Sequence, residues 1–406
     1  MAFRVAIIGG GASGFFAAIN IALRNPQWQV HIYEKSADVL QKVRISGGGR
    51  CNVTHHCFEP ARLTPNYPRG EKQLYSIFKQ FNPQDTIAWF AARGVELKTE
   101  ADGRMFPLSN VSSTIIDCFL SECQKLGIKI HTSQAVKALT VPADSPGGFV
   151  LYTTKGTFGA DRVVLAAGSS GAIWKMMEKG GLRIVPPVPS LFTFHITDDR
   201  LKGLMGLSFP QVTARVASSK FESSGPLLIT HWGLSGPAIL KLSAFAARHL
   251  ADLSYKFELL LDLSGGMGFD KVRAHLQNYQ KENPKRQIKG YPLFDLPRRW
   301  WERMTDLQGL APGYKWEDAG KKVINKLAEE ISQGRYMVTG KSTFKEEFVT
   351  AGGIALNEVN LKTMECKKVP GLYITGEVLD IDAITGGFNF QSCWSTAWLA
   401  AQSMTQ

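Results

Sequence analysis

The sequence predicts an α/β protein in which a parallel-sheet domain is interrupted by an inserted β-plus-helical domain. Three observations carry this. An apolar run near the N-terminus closes in a glycine cluster and is followed by a helical stretch. The pattern changes to short alternating strands near Pro189. Glycine-rich segments of the first kind return after residue 347.

The N-terminal unit is the most explicit. Phe3 to Ile8 reads as a short buried strand, and Phe15 to Leu23 as an apolar, alanine-rich helix. Between them Gly9, Gly11 and Gly14 have the spacing G-x-G-x-x-G. Gly9 permits a tight turn, Gly11 lets backbone approach a pyrophosphate, and Gly14 lets the helix lie close to the strand. Ala12 and Ser13 then place open amides at a helix N-terminus, where partial positive charge favours phosphate. Gln29 to Tyr33 reads as a second strand, with Glu34 at its end, 20 residues beyond Gly14. A carboxylate there can accept from ribose hydroxyls and disfavours a 2′-phosphate, an effect that Lys35 blunts.

The next segment is Gln41-Lys42-Val43-Arg44-Ile45-Ser46-Gly47-Gly48-Gly49-Arg50-Cys51-Asn52-Val53-Thr54. Its three consecutive glycines suit backbone lying against a ligand. Ser46, Arg50 and Asn52 add donors, and Arg50 is suited to pairing with phosphate. Residues 71–126 read as mostly helical, with Ser112 a candidate cap for a helix from Ile115. Ile128–Leu139 and Gly148–Tyr152 read as strands around a turn at 142–147. Asp161–Leu165 is a buried strand running into Ala167 and Gly168, where small residues admit a ligand.

Pro186, Pro187 and Pro189 mark a boundary, and short strands are expected from there to Leu263. Helices are expected at Phe269–Tyr279, Arg298–Met304 and Asp318–Ile331. A last strand, Leu372–Thr375, ends in Gly376-Glu377, and Gly386-Gly387 opens a helix over Phe388–Ser403.

Composition narrows the class. The chain has 406 residues, 44% of them hydrophobic, which suits a multidomain globular enzyme. Six cysteines without C-x-x-C or zinc spacing read as reduced thiols, so a cytoplasmic location is expected. No secretory cleavage signal is evident, and no apolar run approaches the roughly 20 residues of a membrane span. The net charge of +12 includes a basic stretch between Lys271 and Lys326, where alternating acids suggest a solvated helical surface. No metal is expected: the adjacent side chains of His55-His56-Cys57 diverge on an extended chain.

Four motifs then carry a resemblance. They are Gly9–Gly14 with Glu34; Ile45 to Thr54; Thr230-His231-Trp232-Gly233-Leu234-Ser235-Gly236-Pro237; and Gly371 to Asp380 continuing through Thr385-Gly386-Gly387-Phe388-Asn389-Phe390-Gln391. Together they resemble the bacterial NAD(P)/FAD-dependent flavoproteins that include aminoacetone oxidase and a dehydro-bile-acid reductase. The resemblance spans the chain. It implies a Rossmann-like, glutathione-reductase-like FAD-binding domain (1–188 and 347–406). An inserted substrate and cap domain (189–346) would comprise a β-barrel (189–265) and a helical part (266–333). It also implies an extended, non-covalent FAD. The pyrophosphate would lie on Gly11–Gly14, the ribose on Glu34 and the adenine near Val136. Ser46 to Asn52 would run beside the ribityl and ring, with Gly376-Glu377 at the ribityl or pyrophosphate and Gly387–Phe390 at the pyrimidine end. The chain departs from the family where His55 replaces a frequent Asn and Phe388 a frequent Tyr.

The expected activity is hydride transfer between a small organic substrate and FAD, as amine oxidation or enone reduction. No second G-x-G-x-x-G unit is seen, so NADH or NADPH would serve as a transient donor. Catalytic residues are not evident: Lys42 and His231 are weak candidates, and Cys51 reads as inert. Lys42 is placed either near the flavin N5 or against phosphate. The competing readings are an RNA-associated flavoprotein, supported by Arg298-Arg299-Trp300-Trp301, and a nicotinamide dehydrogenase without flavin. The expected partner is a small molecule, with no stable nucleic acid and no membrane.

Overall fold

The computed structural model describes residues 2–141, 148–342 and 349–404. The turn expected at 142–147 and the junction at 346/347 lie outside the described residues. The chain divides into two compact units, Met1–Val188 with Lys345–Gln406, and Pro189–Phe344.

In the first unit β1 (Arg4–Ile8), α1 (Ala12–Arg24) and β2 (Gln29–Tyr33) form the expected strand–helix–strand. The sheet runs in the order Val359–Asn360, Glu365–Cys366, Leu372–Ile374, Arg162–Leu165, β1, β2, Lys129–His131. The last five are mutually parallel. Register decides where a ligand can sit: Tyr33, Ile8, Leu165 and Ile374 are level across four strands. The turns that follow these strands therefore share one edge of the sheet. From Ala12 to Ala22 α1 is buried on all sides, because the helices Ser113–Lys125 and Phe388–Met404 cover it. Phe16, Trp89, Phe119 and Trp394 interlock there at ring separations of 4.5–5.8 Å.

Several local expectations fail for identifiable reasons. Residues 71–126 hold three helices, Glu71–Phe78, Pro83–Ala91 and Ser113–Lys125, but also two strands that were not expected: Leu97–Thr99 pairs with Arg104–Pro107, which pairs in turn with Thr54–His55. Ser112 does not cap its helix, and its hydroxyl donates to the Arg44 carbonyl at 2.8 Å. The strand expected over 128–139 is broken into Lys129–His131 and Val136–Thr140. The three prolines lie inside a strand, Ile184–Ser190, which pairs only with Val349–Ile354 among the described residues; the two units divide within it, between Val188 and Pro189. Such a ladder can forgo amide donors.

The second unit holds an antiparallel sheet in the order Gly334–Val338, Phe257–Asp262, Ser208–Val216, Glu222–Ile229, Gly233–Ser235, Thr193–His195, Gly340–Ser342. The two edge strands are consecutive in sequence, joined by Thr339 alone, so the sheet must curl until its edges meet. That is a barrel. Helices Pro237–Phe245 and Ala247–Asp252 replace part of the expected strand run. The helical part comprises Phe269–Glu282, Arg298–Leu307 and Lys321–Gln333. Trp300 and Trp301 are its core, at 1% and 0% exposure, and Trp301 Nε1 donates to the Ile288 carbonyl at 2.8 Å. They are not available to stack on a nucleic acid base. Among the described residues, no helix is long and apolar enough to cross a membrane.

One pair on the first sheet makes stability pH-dependent. His31 Nδ1 and His131 Nε2 lie 3.0 Å apart with stacked rings. A single proton satisfies that contact. Burial depresses both imidazoles below their ordinary value, helped for His31 by His131, Arg4 and Lys129, and for His131 by Lys155. The unfolded chain therefore binds more protons just below about pH 6.5, and folding stability is lost as pH falls through that range. Denaturant titrations from about pH 7.5 to about pH 5.5 should show this loss, and the double variant His31→Gln/His131→Gln should reduce it. An undiminished slope would exclude the pair.

Candidate nucleotide and flavin site

The site begins with the turn between β1 and α1. A Cβ on Gly9 would meet the Ala166 carbonyl at 2.4 Å, and one on Gly14 would meet the Gly9 carbonyl at 2.0 Å. Both glycines are required by packing: a side chain at Gly9 would collide with the backbone that follows the strand Arg162–Leu165, and one at Gly14 would force the helix away from the end of β1. A Cβ on Gly11 would meet nothing within 4 Å. Gly11 thus faces open space in front of the α1 amides, with no capping side chain and no acid in the first turn. Ala12, Ser13 and Gly14 are buried behind it, and Ser13 Oγ donates to Thr375 Oγ1 at 2.8 Å.

Glu34 follows β2 at the same edge. Its two carboxylate oxygens accept from the amides of Gly10 and Ser36 at 2.7 and 2.8 Å, which orients the carboxylate toward the glycine turn. The Glu34 carbonyl accepts from the Gln134 amide, bringing the segment leading to Val136 alongside. Lys35 is exposed and is not held in an ion pair among the described residues. Ala167 and Gly168 follow the strand Arg162–Leu165, and Gly376 and Glu377 follow Leu372–Ile374. Gly376 is wedged between helices: its Cβ would meet Ser13 at 2.9 Å and Cys393 Sγ at 3.3 Å.

Lys42 lies in the helix Gln41–Gly49 and reaches back to this edge. Its ammonium is 2.5 Å from Glu377 Oε2 and 3.4 Å from Ser169 Oγ. Desolvation works against the ammonium, but Glu377 outweighs it and holds its pKa above the ordinary lysine value. Past Lys42 the helix breaks at Ser46, where ψ is 148°, and Gly47, Gly48 and Gly49 take positive φ. Gly48 and Gly49 again face open space. Arg50 departs from expectation. Its guanidinium bonds Glu100 at 2.6 Å and lies 3.9 Å from the Phe106 ring centroid, so it is engaged within the protein instead of awaiting phosphate. Cys51 is fully buried, which pushes its thiol up to about 12 and keeps it protonated.

The two glycine motifs that flank the insertion in sequence are bound to one another. The Asn52 amide accepts from Gly387 N at 2.9 Å and donates to the Thr54 carbonyl at 3.1 Å. Thr54 Oγ1 donates to Gln391 Oε1 at 2.6 Å, and Trp394 Nε1 donates to the Val53 carbonyl at 2.9 Å. The Gly387 amide, at the start of the C-terminal helix, is therefore used within the protein. Asn389 bonds both backbone groups of Ala383, Phe388 is buried, and Phe390 stacks on Trp394 at 5.5 Å. The two departures from the family pattern touch: the His55 and Phe388 rings stack at 4.6 Å. Burial lowers the His55 pKa, and its Nε2 donates to the Asp102 carbonyl. His231 belongs to the second unit, where it is exposed and has no side-chain hydrogen-bond partner among the described residues.

Sequence reading missed Arg69, Thr86 and Asp382, and named Gln391 only within a motif, without a role. Thr86 Oγ1 also donates to Gln391 Oε1, at 2.9 Å, and Arg69 pairs with the buried Asp382. Their partners lie some 300 residues away in the chain, so no local pattern marks them.

These residues fit a dinucleotide. The open cradle at Gly11, the helix amides behind it and the carboxylate of Glu34 match pyrophosphate and ribose in turn. Open positive-φ backbone at Gly48 and Gly49 can lie against a flat ring.

The HI0933-like protein Rossmann domain model matches residues 3–403. A 3-dehydro-bile acid delta(4,6)-reductase of Clostridium scindens is 27% identical over 99% of both chains. A ribosomal RNA dihydrouridine synthase of Escherichia coli is 29% identical over 99% of this chain and 98% of its own. Among solved structures, the 3-ketosteroid delta1-dehydrogenase of Sterolibacterium denitrificans shares the fold with a TM-score of 0.53. It is 10% identical, with 100% of this chain and 99% of that one covered. The chain belongs to the HI0933-like family of FAD-binding flavoproteins, whose model covers it almost from end to end.

Proposed function

We propose that this FAD-dependent oxidoreductase reduces a carbon–carbon double bond conjugated to a carbonyl. One observation carries the reading: the two reactions named among the full-length relatives share that bond change. A delta(4,6)-unsaturated 3-dehydro-bile acid is a conjugated dienone. Dihydrouridine is uridine saturated at the bond conjugated to its C4 carbonyl. Reduction of the bond next to the carbonyl adds a hydride at the β carbon and a proton at the α carbon; at the distal bond of the dienone the hydride goes to the δ carbon, through the same conjugation. When bound, FAD supplies the hydride chemistry, and the protein supplies position and field.

In this reading the first unit holds the cofactor. Gly11 and the α1 amides receive the pyrophosphate, Glu34 the ribose, and Gly48–Gly49 with the start of the C-terminal helix flank the ring. The inserted residues 189–346 set substrate choice. NADH or NADPH replenishes the hydride by transient binding.

A second reading places the reducible bond in RNA. It is favoured by the dihydrouridine synthase name shared by two full-length relatives, 29% and 28% identical. It also draws on an exposed tyrosine in the helical part: Tyr291 is 47% exposed, with the Arg286 guanidinium 4.2 Å from its ring centroid. Stacking platforms flanked by cations suit single-stranded RNA.

One experiment tests both. The purified holoprotein is given NADH or NADPH with a 4-en-3-one steroid, or with a uridine-containing ribosomal RNA fragment. Products are weighed by mass spectrometry. A product heavier by two hydrogens from the steroid supports the small-molecule reading, and one from RNA the second. Flavin bleaching by amines alone, with neither product formed, would overturn the proposal.

A further inference from the structure

Three turns converge at the carboxyl ends of the parallel strands: Ala167–Ser169, Gly376–Glu377 and the glycine turn before α1. The geometry there contains an electrostatic conflict. The α1 N-terminus and the space at Gly11 suit a dianionic pyrophosphate, yet Glu377 places a carboxylate at the same edge. That carboxylate is only 17% exposed, so water screens it weakly. A Cβ on Gly168 would come within 3.7 Å of its Oε2. Lys42 covers it from the solvent side. The Lys42 side chain is 50% exposed and its ammonium bonds that same oxygen at 2.5 Å, with Ser169 Oγ at 3.4 Å as a second anchor.

We infer that Lys42 acts on cofactor binding through Glu377: it neutralises the carboxylate so that Glu377 can stay beside the incoming phosphates and offer its second oxygen to a ribityl hydroxyl. This rests on the FAD reading above. Lys42 is then a positioning residue and not a proton donor in the reaction. The neutralisation predicts a specific asymmetry. Removing the ammonium leaves an uncompensated carboxylate facing a dianion, whereas removing both charges leaves no conflict.

The test measures FAD dissociation constants of the deflavinated protein by flavin fluorescence. The variants are Lys42→Met, Glu377→Gln and Lys42→Met/Glu377→Gln, with Lys42→Arg as the charge-conserving control. Lys42→Met is expected to weaken FAD by about tenfold or more, a coupling on the scale seen between contacting charges. Lys42→Arg should retain most of the affinity. The double variant should bind more tightly than Lys42→Met and within a few-fold of Glu377→Gln. High salt should narrow the gap between Lys42→Met and wild type. A double variant as weak as Lys42→Met, or weaker, would overturn the inference, because Lys42 would then contact the cofactor directly. Wild-type protein that binds no FAD at all would instead defeat the cofactor reading itself.

Discussion

Replacing Asp382 with alanine should lower unfolding stability by about 3–5 kcal/mol, the cost of breaking a buried ion pair by removing one member. Arg69 and Asp382 form a two-pronged pair in which Nε and Nη2 each donate to a separate carboxylate oxygen. Their side chains are 9% and 0% exposed, and their backbones also form an antiparallel bridge. The alanine variant keeps the guanidinium in the protein without its carboxylate. The surface pair Arg215–Glu222 is a fair contrast, at 54% and 51% exposure; its loss should cost at most about 1 kcal/mol. Removing both members, as Arg69→Met/Asp382→Ala, should recover part of the loss, because no uncompensated charge remains. Urea unfolding followed by tryptophan fluorescence checks this. A loss below about 1 kcal/mol for Asp382→Ala would show that the pair contributes no more than a surface one. The position also bears on the site. Asp382 begins the segment that delivers Gly386 and Gly387 to Asn52 and Thr54, so FAD affinity should fall along with stability.

That pair marks where the sequence stops being readable. The nucleotide unit was legible because its signals are complete within 34 residues. Strand, glycine spacing, helix and terminal acid all sit on one local segment, and register then places the remaining strand ends beside them. The strands Leu97–Thr99 and Arg104–Pro107 were not legible. They are three and four residues long, and the segment they complete, Thr54–His55, lies about fifty residues earlier. Helices Pro237–Phe245 and Ala247–Asp252 were read as strands, because their small and apolar residues carry little helical periodicity. Pro186, Pro187 and Pro189 read as a boundary, and the two units do divide between Val188 and Pro189; what the prolines hide is the strand Ile184–Ser190 that runs through that division. At Arg50 the residue type was suited to phosphate, but Glu100 and Phe106, invisible to local pattern, claim it first. Trp300 and Trp301 show the same limit: beside two arginines they resemble a nucleic-acid platform, and only burial reveals them as core.

Gly11→Val should abolish FAD binding while leaving the fold in place, and that separation distinguishes a ligand glycine from a packing one. Gly11 has φ −98° and ψ −170°, extended backbone that any residue adopts. Its Cβ would meet nothing within 4 Å, so valine enters open space and strains no neighbour. The loss of glycine at the start of α1 should cost no more than about 1 kcal/mol. That open space is where a pyrophosphate would reach the helix amides, and two methyl groups there exclude it. Affinity should drop at least about a hundredfold, or about 2.7 kcal/mol. Gly14→Val is the control with the opposite cause: its Cβ would sit 2.0 Å from the Gly9 carbonyl, so that variant should fail to fold stably whether or not FAD is present. Thermal melts with and without added FAD read both effects. The wild type should be stabilised by FAD according to ligand excess over the dissociation constant, and Gly11→Val should melt close to the wild-type apoprotein with no FAD-induced shift. A Gly11→Val protein that keeps the wild-type FAD shift would place the pyrophosphate elsewhere and remove the α1 N-terminus from the site.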